Sequence, residues 1–344
     1  MTKWYEETDQ MHDVFVMKRL RLVRNIEGCV FPGRLNGEER LKLLKELEQS
    51  LLPLEEEAAA PYTYCRLHEL DGTSLHALYE RRLINYSRLE EKAPAGLAVS
   101  PDESISLLLG GEDHIRLQCL SSSQTLENMW KRLGPVDDRL GERVSYAFDE
   151  KYGYLTTFLT NVGTGLRASV LLHLPMLSIG NQFRKLVQEY SRFGISVKGL
   201  SGDSNENFGC LYEVKNQKTL GQTEEELIGL VSQAAGQLAA QERKVKALAL
   251  RSHRLQLEDE IYKSYGVLKY ARKLSYKEGM TYLSQLRLGL CENLLQPEQP
   301  VNLFGIMLNI RPANLKQGRT EELEGDALDE ARARYIRERL PEIR

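Results

Sequence analysis

Up to about residue 220, short stretches alternate apolar and polar positions between turns of Gly, Asn and Asp, a pattern that predicts strands joined by loops. Three runs are clear. VFVMKRLRLVRN (14–25) sets Arg19 and Arg21 on one face against Leu20 and Leu22 on the other. GGEDHIRLQCL (110–120) sets Glu112, His114, Arg116 and Gln118 against Ile115, Leu117 and Cys119. LRASVLLHLP (166–175) groups Arg167, Ser169, Leu171 and His173 directly after the glycine loop TNVGTG (160–165). Among these runs Leu41, Leu44, Leu47 and Leu51 keep helical spacing.

From Thr223 onward the period becomes helical. It opens with the capping box Thr223-x-x-Glu226 and repeats the device at Ser275-x-x-Glu278. QPEQP (296–300) punctuates the helical part, and 319–344 reads as an exposed helix of mixed charge ending in RYIRERL. AAAP (58–61) and the stretch 318–322 read as loops, and no internal repeat is visible. The residues alone predict a mixed α and β region followed by a helical module.

With 344 residues, 42% hydrophobic and 28% charged, the chain can bury a core and is long enough for about two domains. Its 46 basic and 49 acidic residues do not make the basic stripe of a dedicated nucleic-acid binder, so no nucleic-acid partner is expected. No apolar run approaches bilayer length and the N-terminal sequence lacks the layout of a signal peptide, which predicts a cytoplasmic protein without a membrane partner. The five cysteines are scattered without a CxxC pair, the six histidines make no HExxH, and no GxxxxGK[ST] phosphate loop is present. No metal site is expected from the protein's own residues.

Each chemically suggestive run has a bland counterpart. Two same-face arginines in 14–25 repel unless an anion lies between them, or else they guard a solvated edge strand. The polar face of 110–120 is a ligand-facing surface or a half-solvated strand, and the paired Gly110 and Gly111 would let a backbone approach a ligand closely. The loop 160–165 is amide-rich and could cradle a phosphate, though it also suits a plain hairpin. His173 on its apolar strand fits a satisfied core histidine, and 198–209 (KGLSGDSNENFG) has the composition of a mobile loop.

Taken together, YGYLTTFLTNVGTGLRASVLLHLP (152–175), EDHIRLQC (112–119), RLRLVRNIEG (19–28), KNQKTLG (215–221) and LEDEIYKSYGVL (257–268) resemble the phosphagen, or guanidino, kinase superfamily, and within it the bacterial protein-arginine kinases. The resemblance covers nearly the whole chain. It implies an α+β fold: an antiparallel sheet flanked by helices as a catalytic domain over 13–245, then a helical C-terminal domain over 246–344. The protein-arginine kinases lack the small N-terminal helical domain of the metabolite-specific kinases, and the short stretch ahead of the Arg19-x-Arg21 motif matches that expectation.

Carried over by position, the resemblance assigns ATP binding to Arg19, Arg21, Arg82, Arg116, the run Arg167, Ala168, Ser169, Val170 and Leu171, and the loop Lys198, Gly199, Leu200, Ser201, Gly202 and Asp203. Glu112 matches the catalytic base and Glu206 the carboxylate that orients the acceptor guanidinium. Asp329 and Arg332 match the signature that reads phosphoarginine. ATP and Mg²⁺ are the implied cofactors. Implied partners are proteins with exposed arginine, a zinc-finger activator protein and a Clp chaperone-protease, with the chain as a homodimer.

The sequence also departs from the pattern. Met17-Lys18 replaces Ser-Ser, Phe158-Leu159 replaces Cys-Pro, Gly110-Gly111 replaces Asn-Glu ahead of Glu112, and Arg82 stands where a histidine is expected. Lys198-Gly199-Leu200 replaces Arg-Gly-Thr, Gly202-Asp203 replaces Gly-Glu, and Leu328 replaces the first arginine of the phosphoarginine signature. Two classes therefore stay open: an active kinase that marks arginines for Clp-type proteolysis or regulation, and a substituted paralogue that binds partners without catalysis.

Overall fold

The structure is a computed structural model that describes residues 2–6, 13–51, 61–91, 93–180, 182–200, 207–319 and 323–344. Its strands are β1 (Phe15–Arg24), β2 (Thr63–Arg66), β3 (Gly96–Val99), β4 (Ile105–Leu109), β5 (Ile115–Ser121), β6 (Phe148–Asp149), β7 (Gly153–Tyr154), β8 (Leu166–His173), β9 (Ile195–Gly199) and β10 (Leu211–Asn216). The helices are α1 (Gly37–Leu51), α2 (Gly72–Glu80), α3 (Ser87–Glu90), α4 (Leu126–Arg143), α5 (Gln182–Arg192), α6 (Glu224–Ser252), α7 (Arg254–Tyr270), α8 (Tyr276–Cys291), α9 (Leu303–Asn309), α10 (Pro312–Lys316) and α11 (Gly325–Arg337).

The sheet runs in the order β2-β3-β4-β5-β1-β8-β10-β9, and the pairs β2/β3, β3/β4, β4/β5 and β1/β5 are antiparallel. β1 is thus an inner strand, with β5 on one side and β8 on the other, and the edge-strand alternative for Arg19 and Arg21 does not hold. Its alternation arises from two chemically different faces, one buried at Leu20 and Leu22 and one half-buried at Arg19 and Arg21.

The chain divides into two compact units. The first comprises 1–4, 17–169 and 215–232, and the second 5–16, 170–214 and 233–344. In the first unit, β3, β4 and β5 are buried along their whole lengths, on both faces. Leu20 and Leu22 pair with Cys119 and Leu117, which in turn pair with Ile105 and Leu107, so one face is continuous hydrocarbon across three strands. α4 packs on β5, and its N-cap Thr125 accepts from the Asn128 amide at 3.2 Å. α1 buries Leu44, Leu47 and Leu51 of the stripe its spacing predicts, but Leu43 is buried beside them where Leu41 stays exposed.

A buried ion pair lies within this unit. Arg24 donates from Nη2 to Asp137 at 2.6 Å and from Nη1 to the Val23 and Thr164 carbonyls at 3.0 and 2.8 Å, while its guanidinium lies 3.6 Å from the centre of the Tyr154 ring. A charge removed from water in this way needs each of these partners.

In the second unit both expected devices of helix initiation or burial are visible. Ser275 and Glu278 form a reciprocal capping box at the start of α8, and His173 is fully enclosed with its Nε2 2.7 Å from Ser284 Oγ. Thr223 and Glu226 make the same reciprocal box in the first unit, at 2.9 and 3.2 Å. The C-terminal helix differs from its sequence reading. α11 is not exposed along its length, because Ala331, Arg332, Ala333 and Ile336 are buried. All five cysteines are free thiols.

Candidate functional site

The antiparallel register places Arg21 opposite Gln118 and Val23 opposite Arg116, so Arg19, Arg21, Arg116 and Gln118 lie on one face of β1 and β5. A segment that the alternation does not flag covers this face. After α2, Arg82 turns the chain with φ 67°, in the left-handed region that a non-glycine residue seldom enters. The Arg82 carbonyl accepts from Gln118 Nε2 at 2.9 Å, and the Leu83 carbonyl accepts from Arg116 Nη2 at 2.8 Å. The chain is thereby laid across the sheet, and Asn85, Ser87 and Arg88 follow.

Glu112 differs from its sequence reading. It does not sit on the strand face, because β4 ends at Leu109 and β5 begins at Ile115, so Glu112 and His114 belong to the connection between them. Gly110, at φ 68°, makes the turn, and its amide donates to the His114 carbonyl at 2.9 Å. The connection is pinned from three sides. Asn25 Oδ1 accepts from the His114 amide at 2.9 Å and Asn25 Nδ2 donates to Asp113 at 2.7 Å; the Thr157 amide donates to Asp113 at 2.7 Å; and the Ile26 amide donates to His114 Nδ1 at 2.9 Å. His114 therefore faces the backbone of 26–30 and not the arginines. Burial lowers its pKa, against the opposing pull of the Val30 carbonyl and Asp113, which keeps it the neutral acceptor this geometry uses.

So held, the Glu112 carboxylate meets the 85–87 segment. Asn85 Nδ2 donates to its two oxygens at 3.3 and 3.4 Å, Ser87 Oγ donates to Oε1, and Asn85 Oδ1 accepts from Arg21 Nη1 at 3.3 Å. Burial pushes the Glu112 carboxyl up, but the Ser87 hydroxyl, the Arg116 charge and the Asn85 amide together outweigh it and hold the group below the usual carboxylate range. Arg116 is 4% exposed. Burial and the like charges of Arg19 and Arg88 bring it down to about 10 against the opposing pull of Glu112. Its Nε and Nη1 are buried and have no hydrogen-bond partner among the described residues. Donors in that condition suit an oxyanion ligand.

Arg167 is positioned by its own loop. It donates to Asn161 Oδ1 at 2.9 Å, to the Asn216 carbonyl at 2.6 Å and to the Thr160 carbonyl at 2.8 Å. The glycine loop thus grips the arginine with a carbonyl and a side-chain amide, and burial lowers the Arg167 pKa. Ala168 and Ser169 are buried on β8, where the Ala168 amide donates to Asn216 Oδ1 at 2.9 Å. At the Cys-Pro position of the family pattern stand two side chains open to water, with Phe158 52% and Leu159 89% exposed. The neighbouring Thr157 hydroxyl donates to the Glu112 carbonyl at 2.8 Å.

The second unit carries the remaining candidates. Val170 and Leu171 are buried on β8, Lys198 is exposed on β9, Gly199 lies against the Asn207 side chain, and the Leu200 amide donates to the Leu211 carbonyl at 2.9 Å. Ser201, Gly202, Asp203 and Glu206 lie outside the described residues. Arg332 is 1% exposed and donates to the Ile310 carbonyl at 3.1 Å and the Leu274 carbonyl at 2.8 Å, while also pairing with Asp329. It knits the helical module together from within.

Asn85, Ser87 and Arg88 are the residues that sequence reasoning misses. The available signal is faint: a polar Asn-Tyr-Ser-Arg stretch just after Leu83 and Ile84, three residues beyond Arg82. Among the described residues no group of three or more His, Cys, Asp or Glu is placed to hold a metal ion, and no helix is long and apolar enough to cross a membrane.

Residues 43–245 match the family model described as "ATP:guanido phosphotransferase, C-terminal catalytic domain", and 254–344 match "Protein-arginine kinase McsB C-terminal domain". The chain is 37% identical to the protein-arginine kinase of Desulforamulus reducens, over 98% of this chain and 95% of that one. It is 35% identical to that of Bacillus pumilus, over 99% and 93%, and 34% identical to that of Bacillus subtilis, over 99% and 93%. Solved structures share the fold at lower identity. The duplicated taurocyamine kinase from Schistosoma mansoni aligns with TM-score 0.60 at 22% identity, over 77% of this chain and 38% of that one. Lombricine kinase aligns with TM-score 0.59 at 19% identity, over 72% of each.

Proposed function

Since the chain belongs to the ATP:guanido phosphotransferase family, as a relative of the protein-arginine kinases over nearly its whole length, we propose that it transfers the γ-phosphoryl group of ATP to arginine side chains of proteins. The observation that carries this reading is the Glu112 carboxylate, kept ionised and hydrogen-bonded beside the buried, incompletely partnered Arg116.

In this reading Arg19, Arg21, Arg116 and Arg167 hold the phosphates, with Arg82, Ala168 to Leu171 and Lys198 to Asp203 along the nucleotide. Mg²⁺ would arrive with the nucleotide and supply neutralising charge, since no group of three or more His, Cys, Asp or Glu among the described residues is placed to hold it. An acceptor guanidinium is a poor nucleophile while protonated, its pKa lying above about 12. Glu112 holds it in line and takes an N–H proton as the N–P bond forms and the bond from the γ-phosphorus to the bridging oxygen breaks, releasing ADP. Glu206 is the second carboxylate for the guanidinium. Fixed arginine charges stabilise the oxygens of the transferring group without reorganisation.

The same proposal takes 13–245 as the catalytic domain and 246–344 as the helical domain, near the junction of the two family matches. Asp329 and Arg332 as a phosphoarginine reader, a homodimer, a zinc-finger activator and delivery of marked proteins to a Clp protease belong to it as its finer parts, with a cytoplasmic setting. The test is incubation with ATP, Mg²⁺ and an unfolded arginine-rich protein, scored for acid-labile phosphate, beside free arginine at equal guanidinium concentration. Faster turnover of the free amino acid overturns the protein-kinase reading. No transfer to either acceptor favours a paralogue that binds without catalysis.

A further inference from the structure

We propose that Arg88, from α3, is a further phosphoryl-binding residue of this site: with Arg116 it forms one buried anion pocket beside Glu112, built to take a tetrahedral or planar oxyanion. The inference rests on the kinase reading only for the identity of that oxyanion, the phosphoryl group in transfer.

Two guanidinium groups are enclosed here. Arg88 is 2% exposed and Arg116 is 4% exposed. Each donates through Nη2, Arg88 to the Glu91 carboxylate and Arg116 to the Leu83 carbonyl. In each, Nε and Nη1 are buried without an acceptor among the described residues. The two groups are close enough for the Arg88 charge to bear on the ionisation of Arg116, as does that of Arg19. Like charges out of water repel, and buried guanidinium donors without acceptors are costly, so a fold that brings two of them together is complementary to an anion that answers both.

The location identifies the anion. Arg88 follows directly on Asn85 and Ser87, the two side chains that hold the Glu112 carboxylate. One short segment therefore places the carboxylate and brings a cation to it. An oxyanion between Arg88 and Arg116 would lie next to Glu112, where a guanidinium held by that carboxylate meets the phosphorus. Glu91 competes for Arg88. Its side chain is 54% exposed and also lies 3.6 Å from Arg40, so it is a movable counter-charge and not a buried clamp.

Titration calorimetry of inorganic phosphate into the full chain tests the pocket, comparing wild type with Arg88→Met, Arg88→Lys and Glu91→Gln, each with a thermal melt to establish folding. Arg88→Met should weaken phosphate at least about ten-fold and Arg88→Lys by less, since an ammonium keeps the charge but not the fork of donors. Glu91→Gln should tighten phosphate by roughly three-fold by freeing Arg88 from a competing charge. A purely structural Arg88–Glu91 bridge moves phosphate affinity in neither set, or moves both in the same direction; either result overturns the proposal, as does a wild-type protein that takes up no phosphate. If Arg88→Met fails to fold, the opposite signs expected for Arg88→Lys and Glu91→Gln still decide it. In phosphoryl transfer from MgATP to an unfolded arginine-containing protein, Arg88→Met should lower kcat by about 10- to 100-fold while KM for the acceptor stays. Wild-type phosphate binding without any transfer sinks the kinase reading and leaves the pocket standing; wild-type transfer with Arg88 variants unchanged sinks the pocket alone.

Discussion

Asn85 donates its amide nitrogen to both oxygens of the Glu112 carboxylate, at 3.3 and 3.4 Å, although 27 positions separate the two residues. The same side chain accepts from Arg21 through its Oδ1, so a neutral amide links a carboxylate to a cation. One neutral amide thus orients the carboxylate and the guanidinium together.

Glu112→Gln should reduce phosphoryl transfer by at least about 100-fold with ATP affinity little changed, because the lost function is proton acceptance. Acid-labile phosphate on an arginine-containing protein and calorimetry with MgATP check the two halves. Retention of more than about a tenth of wild-type turnover, a barrier change under roughly 1.4 kcal/mol, contradicts the role.

Asn85→Ala should shift the acid limb of the kcat/KM profile to higher pH. Burial raises the Glu112 pKa and the Ser87, Arg116 and Asn85 contacts lower it, so deleting Asn85 lets burial gain ground and the carboxylate protonates sooner as pH falls. A profile superimposable on wild type would show that Asn85 does not tune the carboxylate.

Arg167→Ala should weaken ATP and also loosen the fold locally. Three hydrogen bonds from its guanidinium hold Thr160, Asn161 and Asn216, and their combined loss should cost about 2–4 kcal/mol. Urea unfolding measures the stability change, and calorimetry on the folded fraction measures the nucleotide. Unchanged nucleotide affinity removes Arg167 from the phosphate site.

The buried Arg24–Asp137 pair should behave as an all-or-none element. Arg24→Met should destabilise by about 3–5 kcal/mol, because it strands the Asp137 carboxylate, and Arg24→Met with Asp137→Leu should recover much of that loss. A double-mutant cycle in urea gives the coupling; simple additivity would mean that the two side chains act independently.

Acid should weaken the turn that carries Glu112. His114 has a depressed pKa in the fold, so the unfolded chain binds its proton more readily, and the stabilisation present above the ordinary histidine pKa of 6.5 is lost as pH falls through and below it. Protonating Nδ1 breaks the bond from the Ile26 amide. His114→Gln should therefore flatten the decline in urea midpoint between pH 7.5 and 5.5 relative to wild type, leaving the share due to His173, which burial depresses in the same direction.

Some features could be read from the sequence because their physics is local. Period-two alternation assigns Arg19 and Arg21 to one face of a strand wherever that strand sits, and the boxes at Thr223 and Ser275 close over three residues without help from the rest of the fold. The motifs around EDHIR and TNVGTGLR likewise carry the family in contiguous residues. Position within the sheet is different. An edge strand and an inner strand can share one alternating pattern, and only the long-range order β5-β1-β8 made β1 an inner strand with one hydrocarbon face and one cationic face. Glu112 looked like a strand residue by parity, yet the turn at Gly110 removed it from the strand and delivered it to Asn85 and Ser87. Asn, Ser and a lone Arg are ordinary surface residues by composition, and nothing in their neighbours along the chain announces a site. They became one when the chain after α2 was laid across β5 by hydrogen bonds from Arg116 and Gln118, contacts whose partners lie 33 and 36 residues apart and whose free energy exists only once the sheet has formed.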